Sequence, residues 1–545
     1  MSFADLQRIF FKESKAARVT NFWNNLFNNA PEMTDVFVTL DIAFGDGIIH
    51  RLSTDYIDVL DDDGVIILYK PALEQEISLG ISYTTGTSEA GVRSYSLTLD
   101  GRVIKPLDMV NNAIGLAGIA EIALQRKGQD YSQRFILMRG NMSRGVIFGN
   151  NDGFVEVEIS DPKFVSNKFL PEYLITEEDF STLPEDQRGQ RFPVIVNQFR
   201  YVPCIRTSSY IYGTDFVVCQ GHDVKINAVY VEGELKLKND PDRGWSVKKG
   251  YTARGIAYTA INFSLPSTED RAMQGDDSVY VYAENVVQRE RNIIEQIREI
   301  VIIGTTFDSR FIDNYLFTSS AARCEALTAE ICINGSGEND IAFGTEYIEQ
   351  TLLPSFPMIS MVYTGFGYGP VFTDRRINIR PITLERGQKY IFERVTEIQE
   401  SPIENIFNKF TYRYNFNAMT NNFESVIELT PENNKLCEAS TLQYGIREHQ
   451  PIDSICVFDD PTANYIINWM AAHNTFPSYY VEYEGVAGLF FLLSLGDNIL
   501  LTDDKLSFVD VECTVEKLEY QHSKCVIGLR MWLAYKVKTP SVASM

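Results

Sequence analysis

A chain of 545 residues exceeds what one hydrophobic core supports, and at about 150 residues per domain it is expected to hold three or four units. Its 73 acidic against 49 basic residues give a formal charge of −24. Such a chain repels phosphate and shows no Lys/Arg cluster with interleaved aromatics, so direct nucleic-acid binding through counterion release is not expected. With 45% hydrophobic residues, 34 Phe and 28 Tyr, the composition is that of a folded chain favouring strands over helices.

In chain order, Val19, Phe22, Trp23, Leu26 and Phe27 recur at helical spacing, which predicts an N-terminal helical arm over 1–32. Residues 33–165 read as a β-barrel-like domain. Strands in "DVFVTLDIAFGDGIIHRLSTDYIDVLDDDGVIILYKP" are separated by Gly-Asp turns, and alternation returns in "SYSLTLDG", "RFILMRG" and "FVEVEISDP". One helix is expected around "DMVNNAIGLAGIAEIAL". The polar segment "PEYLITEEDFSTLPEDQRGQR" leads into a second β module within 166–275, with strands in "DFVVCQ", "INAVYVEGELKL" and "GIAYTAINFSL".

Residues 276–385 mix helices and strands: "ENVVQRERNIIEQIREIVI" has a helical period, and "FDSRFIDNYLFTSSAARCEAL" suggests a helix pair. Residues 386–545 form a C-terminal β domain with one helix, "DDPTANYIINWMAAHNTFP", where Asp460 suits the N-cap and Ala463, Ile466, Ile467 and Met470 make a stripe. The apolar run "GVAGLFFLLSLGDNILLTDD" is too short for a bilayer-spanning helix, which needs roughly 18–20 apolar residues. It reads as two buried strands, "GLFFLL" and "NILL", joined at a Gly496-Asp497 turn. The fold class expected is α+β, predominantly β and multidomain.

Candidate chemistry is sparse. The eight cysteines show no C-x-x-C spacing and sit mostly in apolar strand contexts, as reduced buried thiols do. The five histidines offer no H-E-x-x-H pair, and His522 with Cys525 in "QHSKC" reads as a hairpin turn before it reads as a nucleophile. Gly365, Gly367 and Gly369 in "TGFGYGPVF" lack the strand-to-helix context of a phosphate loop. Carboxylate pairs such as Glu177-Glu178-Asp179, Asp276-Asp277 and Asp459-Asp460 read as solvated surface, and Phe410, Tyr412, Tyr414 and Phe416 as the core face of a strand before a sugar platform. No residue is assigned a catalytic, cofactor-binding or metal-binding role, and no cofactor is expected.

The order of "LDIAFGDGIIHRLST", "LDDDG", "FPVIVNQFRYVPCI", "NIIEQIREIVI", "FIDNYLF" and "YGIREHQPIDSICVFDDPTANYIINWMAAHNTFPSYYVEYE", running into "SLGDNILLTDD", resembles the tail-hub (baseplate-hub) proteins of tailed bacteriophages. The resemblance spans most of the chain. It implies a structural, non-enzymatic virion protein with tail-tube-like β-barrel domains, made in the bacterial cytoplasm and assembled as a homotrimer at the tail tip. Implied partners are distal tail or tube proteins, the tape measure protein, and tip or fibre proteins. DNA would pass through the channel without specific binding, and no membrane anchoring is implied. The alternatives are a carbohydrate-binding tail-tip adhesin, suggested by the Tyr and Phe content, and a cell-wall hydrolase, suggested by the carboxylates.

Overall fold

The computed structural model describes residues 35–533 apart from 44–48, 62, 74–76, 87–90, 92, 104–118, 143–146, 149–152, 162–167, 209–214, 240–243, 264–277, 306–310, 335–341, 377–381, 389 and 523. The expected N-terminal arm and the Asp276-Asp277 pair lie outside the described residues. With 47% strand against 19% helix, the chain is α+β and predominantly β.

The first large sheet grows from strictly alternating segments. In Val36–Ala43, Val36, Val38, Leu40 and Ile42 point into a core while Thr39 and Asp41 take the opposite face. The main path of the sheet runs Ile57–Leu60, Ile66–Pro71, Ile49–Ser53, Val36–Ala43, Ile119–Arg126, Phe135–Met142, Phe154–Ser160 and Ser94–Asp100. Just past Pro71 the chain reaches the far edge: Leu73 bridges Leu99, and the Asp100 N–H donates to the Ala72 carbonyl at 2.8 Å. The sheet therefore curls as a half-barrel, with the segment after Pro71 reaching its far strand.

Of the helix expected around "DMVNNAIGLAGIAEIAL", residues 108–118 lie outside the described residues, and the remainder belongs to Ile119–Arg126, a strand between Val36–Ala43 and Phe135–Met142. "IAEIALQR" alternates as well as it spirals, and two flanking strands satisfy its backbone and bury Ala120, Ile122 and Leu124.

A second large sheet comes from the other end of the chain. Its path is Thr383–Glu385, Asn498–Asp503, Phe508–Gln521, Lys524–Met531, Tyr479–Val486 and Ile391–Arg394. Ser78–Ser82 leaves the half-barrel region to pair antiparallel with Phe508–Gln521, from Ser82 opposite Lys517 to Ser78 opposite Gln521. The two sheets share one core, in which Leu40, Ile122, Leu137 and Val157 meet Tyr483, Val515, Ile527 and Leu529. Of the apolar run, "NILL" lies in the strand Asn498–Asp503, but Leu489–Leu492 is a single helical turn. A turn lets Leu489, Phe490 and Phe491 all enter the core, whereas a strand would send alternate residues outward.

The middle of the chain supplies two facing four-stranded sheets, ordered Gln198–Pro203, Val279–Asn285, Val224–Val231, Glu234–Lys236 and Ile205–Arg206, Asp215–Gln220, Ala257–Phe263, Trp245–Tyr251. Pro203 and Ile205, two positions apart, belong to different sheets, so the chain turns a corner between them. Phe216, Val229, Ile261, Phe263 and Val281 fill the space between.

A further core joins the helices Ile293–Gly304, Asn314–Arg323 and Asp460–Asn474 to Phe410–Asn417. Each helix is capped: Asn292 accepts from Ile294 N–H at 2.9 Å, Asp313 from Leu316 N–H at 3.1 Å and Asp459 from Thr462 N–H at 2.9 Å. The last cap is Asp459 and not Asp460, one residue earlier than the sequence suggests. Of the helix pair expected over "FDSRFIDNYLFTSSAARCEAL", residues 307–310 lie outside the described residues, and the rest holds one helix, Asn314–Arg323.

Candidate functional site

Three arrangements of polar side chains stand out, and none follows from a short sequence motif. The first lies across the half-barrel wall. Strand register sets Arg51 opposite Asp41, Asp41 opposite Glu121 and Glu121 opposite Arg139, a row of charges crossing four strands on the face away from the shared core. Arg134 joins the middle of this row: its guanidinium donates to Asp41 at 2.7 Å and to Glu121, while Arg139 reaches Glu121 at 2.6 Å. Tyr131 donates to Asp41 at 2.5 Å and lies under the Arg134 guanidinium, 4.0 Å from charge to ring. The hairpin Ile57–Leu60/Ile66–Pro71 roofs the network with Tyr69. Burial works against the charge on Arg134, and the carboxylates of Asp41 and Glu121 outweigh it, holding the guanidinium above its usual range. The network ties neighbouring strands together: Arg134 and Arg139 engage Glu121, and Arg134 with Tyr131 engages one oxygen of Asp41.

The second arrangement is the joint beside the apolar run. Gly496 has a φ of 79°, and a Cβ there would stand 2.8 Å from Val371. Arg323 reaches over this turn, donating to the Gly496 carbonyl at 3.3 Å and to Asp497 at 2.7 Å, and Asp497 in turn accepts from the Ser494 N–H at 2.9 Å. The glycines of "TGFGYGPVF" sit close by in the hairpin Ile359–Thr364/Gly367–Phe372. A Cβ on Gly365 would lie 1.9 Å from the Ile136 carbonyl, so this glycine lets the hairpin press on the half-barrel and cradles no phosphate. Arg93 secures the same contact, clasping Asp161 at 2.9 and 3.0 Å and donating to the Thr364 carbonyl at 3.0 Å.

The third is a cleft of about 1040 Å³ whose walls include Tyr480, Trp469, His473, Trp532, Glu516 and Arg530. Arg530 pairs with Glu516 at 2.8 Å and lies over the Tyr480 ring at 5.4 Å. His473 is stacked on Trp469 at 4.1 Å, and Trp532 stands edge-on to it at 5.1 Å. One ring nitrogen of His473 donates to the Trp469 carbonyl at 2.8 Å and the other accepts from the Arg375 N–H at 3.4 Å, which fixes a neutral tautomer. Burial pulls its pKa down to about 3. This imidazole is therefore a packed structural group, with both nitrogens engaged.

The remaining sequence candidates are dispersed. Asp179 accepts from Thr176 N–H at 3.0 Å and from Arg254 at 2.8 Å, and Asp460 accepts from the Tyr414 hydroxyl at 2.6 Å. Cys525 is fully buried, with its thiol pushed up to about 12 by that burial, and His522 lies at the turn after Phe508–Gln521. All eight cysteines are free. Phe410, Tyr412 and Tyr414 are buried core, and Phe416 continues their row in unbroken register, half-buried at its end with its ring 5.2 Å from that of Phe423 opposite. Among the described residues no group of three or more His, Cys, Asp or Glu is placed to hold a metal ion, and no helix is long and apolar enough to cross a membrane.

No protein-family model matches the chain, and no curated protein matches it by sequence. Solved structures do. A chain of the virion of a native gene transfer agent particle is similar at 11% identity and a TM-score of 0.39, over 68% of this chain and 92% of that one. The tail protein from Neisseria meningitidis MC58 is similar at 9% identity and a TM-score of 0.37, over 90% and 96% of the two chains. The 43 kDa tail protein of prophage MuSo2 from Shewanella oneidensis is similar at 9% identity and a TM-score of 0.32, over 91% and 97%.

Proposed function

We propose that this chain is a structural protein of a phage tail, the hub that joins the tail tube to the distal tip and surrounds the DNA channel as a homotrimer. The observation that carries the reading is the pair of large sheets built from opposite ends of the chain, stitched by Ser78–Ser82 and sharing one core. Two such sheets per chain give three copies six large sheets, which suits a threefold tip meeting a sixfold tube. The formal charge of −24 supports a channel wall that repels DNA and leaves it mobile. The charges gathered on the half-barrel support rigidity in place of reaction chemistry, and the hub acts without catalysis. Its partners are the distal tail or tube proteins, the tape measure protein and the tip or fibre proteins. The reading is tested by electron microscopy of the chain purified with its tail partners: threefold rings at the tube end are expected, and a compact monomer that never joins the tube would overturn it.

A second reading, a carbohydrate-recognising tail-tip protein, is favoured by the cleft that carries Tyr480 and Trp532 beside Glu516 and Arg530. Glycan-array binding by the isolated chain, lost in Trp532→Ala, would support it; a blank array would remove it.

A further inference from the structure

Two exposed surfaces of this chain are each partly apolar and carry opposite charge. The hairpin Ile57–Leu60/Ile66–Pro71 projects from the edge of the half-barrel. Its register pairs Leu60 with Ile66 and Asp58 with Leu68, and these four side chains face solvent while Ile57, Val59, Ile67 and Tyr69 face inward. Leu68 is 69% exposed and Ile66 61% exposed, with Val65 and Tyr56 also open beside them. Asp55, Asp58, Asp61 and Asp63 surround the patch and make no ion pair among the described residues. A cluster of open aliphatic side chains on a protruding hairpin is an unusual cost for a monomer surface.

The second surface lies on the middle sandwich. Glu234–Lys236 and Trp245–Tyr251 are the edge strands of its two facing sheets. They are tied together where the Trp245 indole N–H donates to the Lys236 carbonyl at 3.0 Å and the Lys238 ammonium lies 5.6 Å over the indole ring. Leu235, Leu237, Val247 and Tyr251 are exposed there, Leu237 at 69%. Lys238 and Lys249 stand among them as positive charge in a strongly acidic chain, while Lys236 is paired with Glu234 at 2.7 Å and Lys248 with Asp215 at 2.5 Å. Lysines alone would be read as guards against edge-to-edge pairing; four exposed apolar side chains between them are the opposite of a guard.

We propose that the 57–71 hairpin of one copy docks on the 235–251 edge of the next. Both patches are exposed in a single chain, so neither covers the other within it. They are different patches, so the contact is heterologous, and a heterologous contact that closes makes a ring. The aspartates of the hairpin then meet the lysines of the edge, and Leu60, Ile66 and Leu68 meet Leu235 and Leu237. This inference rests on the hub reading only for the presence of neighbouring copies around one axis.

The test uses the full chain and measures oligomer mass by sedimentation. Asp58→Lys/Asp63→Lys and, separately, Lys238→Glu/Lys249→Glu each place like charges across the contact and are expected to weaken association roughly tenfold or more. Combining all four changes in one chain restores opposite charges at every contact and is expected to restore the ring. A Leu68→Cys/Leu237→Cys chain is expected to form disulfide-linked oligomers under oxidation. If the parent forms rings whose mass neither charge reversal alters and whose paired cysteines stay unlinked, this interface is wrong while the hub reading stands. A parent that remains monomeric with its tail partners refutes both.

Discussion

Arg134 is the residue whose removal says most about how the half-barrel is held. Asp41 and Glu121 lie directly opposite each other on neighbouring strands, at 6% and 9% exposure, and Arg134 forks between them. Replacing it by Met keeps much of the bulk and leaves two buried carboxylates facing each other. Glu121 still has Arg139 at 2.6 Å, whereas Asp41 keeps the Tyr131 hydroxyl, the neighbouring Tyr69 and Arg51 at 4.0 Å. Breaking a buried pair typically costs 3–5 kcal/mol, and the surviving partners place this case near the lower end, at about 3 kcal/mol. A chain of this size does not unfold in one step, so the readout is amide hydrogen exchange over Val36–Ala43 and Ile119–Arg126, where about 3 kcal/mol corresponds to roughly 100-fold faster exchange. Arg134→Lys keeps the charge without the fork and should fall between the two. Adding Asp41→Asn to Arg134→Met should recover much of the protection, because Asp41 is the carboxylate left without a close cation while Glu121 stays paired with Arg139. Exchange accelerated less than about tenfold in Arg134→Met would refute the view that this network fixes the wall.

Gly496→Ala should cost about 1–2 kcal/mol for the left-handed backbone alone, and more once the new Cβ displaces Val371 and loosens the Arg323 clasp; thermal melting checks it, and an unchanged melting temperature would count against the joint. Leu493→Asp puts a carboxylate at a site 4% exposed, at a cost of several kcal/mol; loss of soluble, assembled protein is expected, whereas a stable protein that has lost only liposome flotation would contradict the core placement. His473 is neutral in the folded chain down to about pH 3, while the unfolded chain protonates it below about 6.5, so folded stability falls as pH drops through that window. The loss reaches about 2 kcal/mol near pH 5. His473→Phe should flatten the slope of urea stability between about pH 7 and about pH 5; an identical slope would show that other groups carry it.

What the sequence revealed follows from whether the determining interactions are local. The alternation of "VFVTLDIA" and "SFVDVECTVEKLEY" and the stripe of Ala463, Ile466, Ile467 and Met470 are local, and the structure has strands and a helix there. "IAEIALQR" fits two periods, and only its neighbours decide for a strand. The aromatic row Phe410, Tyr412, Tyr414 and Phe416 was legible as one strand face, and register keeps all four opposite Leu429, Ile427, Ser425 and Phe423. The pairing of Ser78–Ser82 with Phe508–Gln521 and the cleft that brings Thr85 to Glu516 join residues from opposite ends of the chain, and no periodicity encodes such partners. The charged row was hidden for the same reason: Arg51, Asp41, Glu121 and Arg139 are unremarkable until strand register sets them side by side.

The most direct test of the central claim is a cryo-electron reconstruction of the assembled phage tail tip. The account predicts this chain in three copies around the DNA channel, with its two large sheets forming a pseudo-sixfold ring against the tube. Density showing the chain absent from that ring, or present as a single peripheral copy away from the channel, would contradict it.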